Sequence, residues 1–149
     1  MDKLKKIDGV FLTPLRIINH PLGDVYHGMK KTDIGFKGFG EAYFSTIKYN
    51  TIKQWKKHIK MTLNLIVPKG EVRFVLYDDR KDSPTKGNYM DIHLSKKNYK
   101  RLTVPPGIWL AFKGISSGTN LLLNIANMAH DPAEVVRKEL KDIAYNWEE

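Results

Sequence analysis

Five side chains with the chemistry of proton transfer and anion binding fall close together in this chain: Glu41, Tyr43, Lys56, His58 and Arg73. In an extended strand alternate residues share a face, so Glu41, Tyr43 and Ser45 stand together on one strand and Gln54, Lys56 and His58 on the next. If both faces turn inward, an acid, a phenol, an amine and an imidazole converge. Such a set can remove a proton next to a carbonyl and return it, because histidine titrates near neutrality and enclosure drives a lysine toward it. The competing reading is a solvated sheet face of satisfied polar residues. A slip of one residue in strand register decides between the two, since it turns every side chain to the opposite face.

Other chemistries have less support. The histidines His20, His27, His58, His93 and His130 form neither an H-x-H pair nor the H-x-x-x-H spacing of a helical metal site. The glycines of "GFKGFG" lack the strand-to-helix context and the lysine-serine pair of a phosphate loop, and no G-x-S-x-G elbow is present. In "YDDRKDSPTKG" the acids Asp78 and Asp79 read as a strand end entering a turn, with Asp82 and Ser83 capping the Pro84 turn. "VPPG" reads as a rigid turn, and Trp55, Trp109 and Trp147 as core or interface aromatics.

The elements that must carry these residues are strands. Between residues 40 and 127, segments such as "AYFSTIKY", "MTLNLIV", "EVRFVLYD", "NYMDIHL" and "IWLAFKGI" are short, rich in β-branched and aromatic residues, and bounded by turn formers. In "EVRFVLYD" the alternation places Val72, Phe74 and Leu76 on one face and Arg73, Val75 and Tyr77 on the other. The first 38 residues read as an arm of loop and short strand, 39–127 as a β-sandwich or barrel, and 131–147 as a C-terminal helix. That helix would be capped by Asp131, with Pro132 at its first position and Glu134 in its first turn.

A chain of 149 residues fits one domain with a core of its own. It has no cysteine, which excludes disulfides and thiolate metal sites and fits the cytoplasm. No stretch approaches the roughly 18 apolar residues of a membrane span, so no membrane partner is expected. The net charge of +9 would suit a polyanion, but the lysines are scattered and no nucleic-acid motif accompanies them, so nucleic acid is not an expected partner either.

Taken in order, "GEV", "DDRKDSPTKG", "LSKKN" and "VPPG" resemble the dTDP-4-dehydrorhamnose 3,5-epimerase family, cupin-type jelly rolls acting on nucleotide-linked 4-keto-6-deoxy sugars. The matching residues are Asp78, Arg80, Ser83, Pro84, Thr85 and Gly87, then Leu94, Ser95, Asn98, Val104, Pro105, Pro106 and Gly107. The resemblance implies an all-β, antiparallel double-sheet jelly roll in a homodimer. It also marks a divergent branch. The family's proton-abstracting histidine is matched by Lys56 and an arginine near it by Lys53. A further histidine is matched by Leu110, the proton-donor tyrosine by Leu123, and a substrate-holding lysine by Leu63. In the related sugar 3,4-ketoisomerases the second histidine of "H-A-H" matches His58 and the first Lys56.

The resulting expectation is an epimerase or isomerase of a nucleotide-linked 4-keto-6-deoxy sugar in surface polysaccharide biosynthesis. His58, Lys56 and Tyr43 would be catalytic, Glu41, Lys53 and Arg73 would bind substrate, and the cations would meet the diphosphate or polarise the keto oxygen. Enolisation by a positioned base requires neither metal nor dissociable cofactor. The alternative is a non-catalytic sugar- or nucleotide-sugar-binding cupin that kept the pocket and lost the chemistry.

Overall fold

The computed structural model describes residues 5–148; residues 1–4 of the expected arm, and Glu149, lie outside them. In chain order the strands are β1 (Phe11–Pro14), β2 (Ile17–Ile18), β3 (Val25–Tyr26), β4 (Glu41–Thr46), β5 (Ile52–His58) and β6 (Leu63–Lys69). They continue with β7 (Glu71–Asp78), β8 (Tyr89–Ser95), β9 (Lys100–Val104), β10 (Ile108–Gly114), β11 (Leu121–Ala126) and β12 (Val135–Arg137). Two five-stranded sheets, ordered β1-β9-β6-β11-β4 and β12-β5-β10-β7-β8, are antiparallel throughout. This is the double-sheet jelly roll that the sequence leads one to expect.

Alternation decides what lies between the sheets. Val72, Phe74 and Leu76 of β7 join Leu63, Leu65 and Leu102 from the opposite sheet in one buried core. Val75, on the other face of β7, belongs to a second core with Trp55, Trp109, Ala111, Ile143 and Trp147. That outer face is covered by the C-terminal segment, which is why three tryptophans can be buried outside the sandwich.

The C-terminal segment is not the expected helix. Asp131 does cap Ala133 N–H, and Pro132 does open a turn, but the turn is a single 3-10 turn over Pro132–Glu134. The chain then extends as β12, with Val135 opposite His58 and Arg137 opposite Lys56, before a second 3-10 turn over Leu140–Asp142. Two consecutive valines are stiff at χ1 and favour extended backbone, and β5 offers a free edge to pair with. The expected arm is also partly built into the sandwich. β1 pairs with β9, and buried Arg101 donates to the carbonyls of Gly28 and Ile34, fastening residues 28–34 over the first sheet.

The "DDRKDSPTKG" segment forms a closed polar latch. Asp78 is fully buried and accepts hydrogen bonds from Arg80, Ser83 Oγ (2.6 Å) and Thr85 Oγ1 (2.7 Å). Burial opposes its charge, but Arg80 and the two hydroxyls hold its carboxyl well below the usual carboxylate range. Arg80 reaches on to the carbonyl of Asp8 (2.7 Å), so the latch also ties down the chain start. Among the described residues no helix is long and apolar enough to cross a membrane.

Candidate active site

A chamber of about 160 Å³ opens between the inner faces of the two sheets. β4 contributes Tyr43 and Ser45, β11 contributes Asn124, and β5 contributes Lys53, Lys56 and His58. The rest of the wall is apolar: Leu63 and Leu65 from β6, Leu110 and Phe112 from β10, and Leu122 from β11. The expected catalytic residues His58, Lys56 and Tyr43 therefore share one chamber, with Lys53 beside them.

Lys53 and Lys56 are three positions apart and would lie on opposite faces of a regular strand. They reach the same chamber because β5 bulges: Leu110 pairs with Lys56 but Phe112 pairs with Lys53, so Gln54 and Trp55 together oppose Ala111. Trp55 goes to the outer core, and Gln54 turns outward to accept from Leu140 N–H (3.1 Å). The expected grouping of Gln54 with Lys56 and His58 is thus replaced by Lys53 with Lys56 and His58.

His58 is largely buried, and its Nδ1 is hydrogen-bonded to Glu134 Oε1. The other oxygen of Glu134 accepts from the backbone N–H groups of Lys60 (3.1 Å) and Met61 (3.2 Å). Burial opposes the charge on Glu134, yet His58 and those two N–H groups outweigh it and hold the carboxyl below its ordinary range. An ionised carboxylate can only accept, so Nδ1 carries the proton, and in the neutral imidazole Nε2 keeps the lone pair of a base. The strand end is held from outside as well. Gly107 of the "VPPG" turn donates its N–H to the carbonyl of His58 (2.7 Å). Gly107 has φ 88°, and a Cβ there would come within 3.2 Å of the Arg80 side chain, so the turn requires glycine.

Glu134 is the residue of this candidate site that the sequence did not single out. Its only signal is an acid just after "DP", which also fits the first turn of a helix. Tyr43 receives a hydrogen bond from Asn124 Nδ2 (3.0 Å), its direct partner across β4 and β11. Asn124 Oδ1 in turn accepts from the Asn64 backbone N–H (3.2 Å), which fixes the amide so that its NH₂ faces the phenol. Lys56 stands at the open mouth of the chamber. Partial desolvation, with repulsion from Arg137 and Lys53, lowers its amine below the ordinary lysine value.

Two expected substrate contacts lie elsewhere. Arg73 is buried on the outer face of β7, where it clasps Asp91 through Nε (2.9 Å) and Nη2 (2.6 Å) and donates to the Trp147 carbonyl (2.9 Å). Strand alternation forces this, since its neighbour Phe74 fills the inner core. Glu41 shares the side of Tyr43 but begins β4 at the rim, where its carboxylate accepts from His130 N–H (3.1 Å) and does not line the chamber. Leu123, matched by resemblance to the proton-donor tyrosine, is also outside the lining, whereas Leu122 and Asn124 on either side are within it. Among the described residues no group of three His, Cys, Asp or Glu side chains is placed to hold a metal ion.

Comparison with known proteins fits this architecture. The family model for dTDP-4-dehydrorhamnose 3,5-epimerase matches residues 29–149. The crystal structure of a dTDP sugar isomerase from Desulfovibrio desulfuricans G20 superposes with a TM-score of 0.90 at 33% identity, covering 95% of this chain and 92% of that one. The Bacillus subtilis spore coat polysaccharide biosynthesis protein SpsL is 25% identical over 95% of this chain and 96% of its own length. The "Probable low-salt glycan biosynthesis epimerase Agl13" of Haloferax volcanii is 29% identical over 60% of this chain. That match spans only 58% of the Haloferax protein. With the family model covering four fifths of its length and both sheets intact, the chain belongs to the dTDP-4-dehydrorhamnose 3,5-epimerase family.

Proposed function

We propose that the protein is an epimerase or isomerase of a nucleotide-linked 4-keto-6-deoxy sugar, working in the cytoplasm in the biosynthesis of a surface polysaccharide. One observation carries the reading: the His58–Glu134 pair opens onto the same chamber as Tyr43 and Lys56. Nε2 of His58 takes the proton from the carbon next to the keto group, and the electron pair moves onto the keto oxygen as an enolate beside the Lys56 ammonium. Tyr43, on the facing sheet, delivers a proton to the other face of the same carbon and restores the ketone with inverted configuration. His58 then releases the abstracted proton and Tyr43 regains one, both by exchange with solvent. No dissociable cofactor is needed for this cycle.

The apolar residues Leu63 and Leu110 in the chamber wall favour a second reading, a sugar-binding cupin without chemistry. Proton NMR in D₂O separates the two. An epimerase introduces deuterium into dTDP-4-keto-6-deoxyglucose or a related 4-keto nucleotide sugar next to the carbonyl. Binding of such sugars without any exchange refutes the enzyme and leaves the binding protein.

We also propose a homodimer. β4 is the edge strand of the first sheet, and Phe39 and Phe44, flanking and within it, are each 65% exposed.

A further inference from the structure

The base His58 is set by Glu134, and the phenol on the facing sheet has a partner of its own. Tyr43 and Asn124 pair directly across β4 and β11, and Asn124 Nδ2 donates to the phenol oxygen (3.0 Å). Among the described residues this is the phenol's only hydrogen bond, so its own proton meets no acceptor in the protein. Asn124 is 3% exposed, and its amide has one tolerable orientation. Turned over, its NH₂ would face the Asn64 backbone N–H, which now donates to Oδ1 (3.2 Å), and two donors cannot pair. Asn64 is fixed in its turn: its side chain donates to the Gly35 carbonyl (3.1 Å) and accepts from Thr103 Oγ1 (2.6 Å).

We infer that Asn124 is the positioning residue of the proton donor, and that it decides whether an enolate in the chamber is inverted or only returned to the starting epimer. An amide NH₂ can donate but not accept, so it occupies a lone pair of the phenol oxygen and leaves the O–H to turn toward the ligand. In the transfer the O–H bond breaks and its electron pair stays on the phenol oxygen. The proton joins the enolate carbon, whose new C–H bond takes the enolate electron pair as the keto C=O is restored. The negative charge left on the phenol oxygen faces the Asn124 N–H, and a hydrogen bond to a charged oxygen is the stronger kind. Water then returns a proton to the phenolate. The two partners are complementary. Glu134, which can only accept, keeps a proton on Nδ1 of His58; the Asn124 NH₂, which can only donate, keeps the phenol proton uncommitted. His58 alone can return a proton only to the face it came from, so a site with a disabled phenol exchanges without inverting. The inference rests on the proposed function, in which Tyr43 is the acid.

Proton NMR of the full chain in D₂O with dTDP-4-keto-6-deoxyglucose reads both events in one sample: deuterium entering next to the carbonyl, and the inverted epimer appearing. Their ratio does not depend on how much of a variant is folded. Asn124→Asp keeps the acceptor for Asn64 N–H but draws the phenol proton to itself, and Asn124→Leu removes the donor. In both, inversion should fall about 10- to 100-fold relative to exchange, the worth of one hydrogen bond to a charged group. Tyr43→Phe should abolish inversion and keep exchange, and adding Asn124→Leu to it should cost no further exchange per folded molecule. A further loss in that double variant would show Asn124 acting on something other than Tyr43 and would overturn the inference. A ratio within about twofold of the parent's in both Asn124 variants would overturn it too, while the epimerase stands. A parent that exchanges without inverting would remove the acid role of Tyr43 and the inference with it, yet leave proton abstraction by His58. A parent that exchanges neither this sugar nor any related 4-keto nucleotide sugar would refute the proposed function itself, and this inference along with it.

Discussion

The two faces of the second sheet both carry charged side chains, with opposite fates. On the outer face Arg73 and Asp91 are matched atom for atom, with Tyr145 hydroxyl and the Trp147 carbonyl completing the set. On the inner face Lys53 and Lys56 have no acid, and His58 has one nitrogen fixed by Glu134 and the other left over. A cluster whose hydrogen-bonding capacity is used up holds the chain together. A cluster with capacity in reserve is where a ligand or a proton can enter. Residue type alone does not separate the two, since both faces offer cations and carboxylates.

Substitutions sharpen that contrast, and the largest effect belongs to the saturated face. Arg73→Ala leaves Asp91 without its cation and is expected to cost about 3 kcal/mol in chemical denaturation, with the deuterium-exchange rate per folded molecule unchanged. A loss of exchange in the folded variant would return Arg73 to the list of substrate contacts. Asp78→Asn in the latch should cost about 2–3 kcal/mol at neutral pH. Because the folded carboxyl lies below its ordinary value, that stability is present above the unfolded pKa and is lost as pH falls through the folded one. The gap between parent and Asp78→Asn should therefore close on going from neutral pH toward strong acid.

On the open face the effects move from stability to chemistry. Glu134→Gln keeps the shape but no longer forces the proton onto Nδ1, and exchange should fall about 10- to 100-fold with a melting temperature close to the parent's. Equal rates in parent and variant would show that Glu134 only braces the backbone of Lys60 and Met61. The smallest effect on stability is expected at Phe44→Glu, within about 0.5 kcal/mol, while light scattering should show the homodimer shifting to monomer. A dimer unaffected by that charge would place its interface away from β4.

The fold was legible because it is written in alternation and punctuation: Val72, Phe74 and Leu76 point inward as their spacing requires, and "VPPG" turns where it reads as a turn. The convergence of Tyr43, Lys56 and His58 followed from the same period-two rule. The limits of that rule explain the rest. The bulge that exchanges Gln54 for Lys53 depends on how β5 meets Ala111, a pairing choice not encoded within β5 itself. Glu134 lies 76 residues from His58, so no local pattern links them. The same segment was read as helix because Asp131 and Pro132 do start a turn; its continuation as β12 depends on the free edge of β5, a tertiary fact. Arg73 was misplaced for a different reason: alternation sets it on the face opposite Phe74, and that face is the outer one, covered by Ile143 and Trp147.

The central claim is that His58, set by Glu134, is the base, although resemblance puts Lys56 at the position of the family's histidine. Deuterium incorporation into dTDP-4-keto-6-deoxyglucose, followed by proton NMR in parallel for the parent, His58→Asn and Lys56→Met, decides between them. The account predicts a fall of about 10²–10⁴-fold for His58→Asn and a smaller fall for Lys56→Met, whose loss weakens the enolate but leaves the base in place. Exchange that survives in His58→Asn and vanishes in Lys56→Met would contradict it and make the lysine the base.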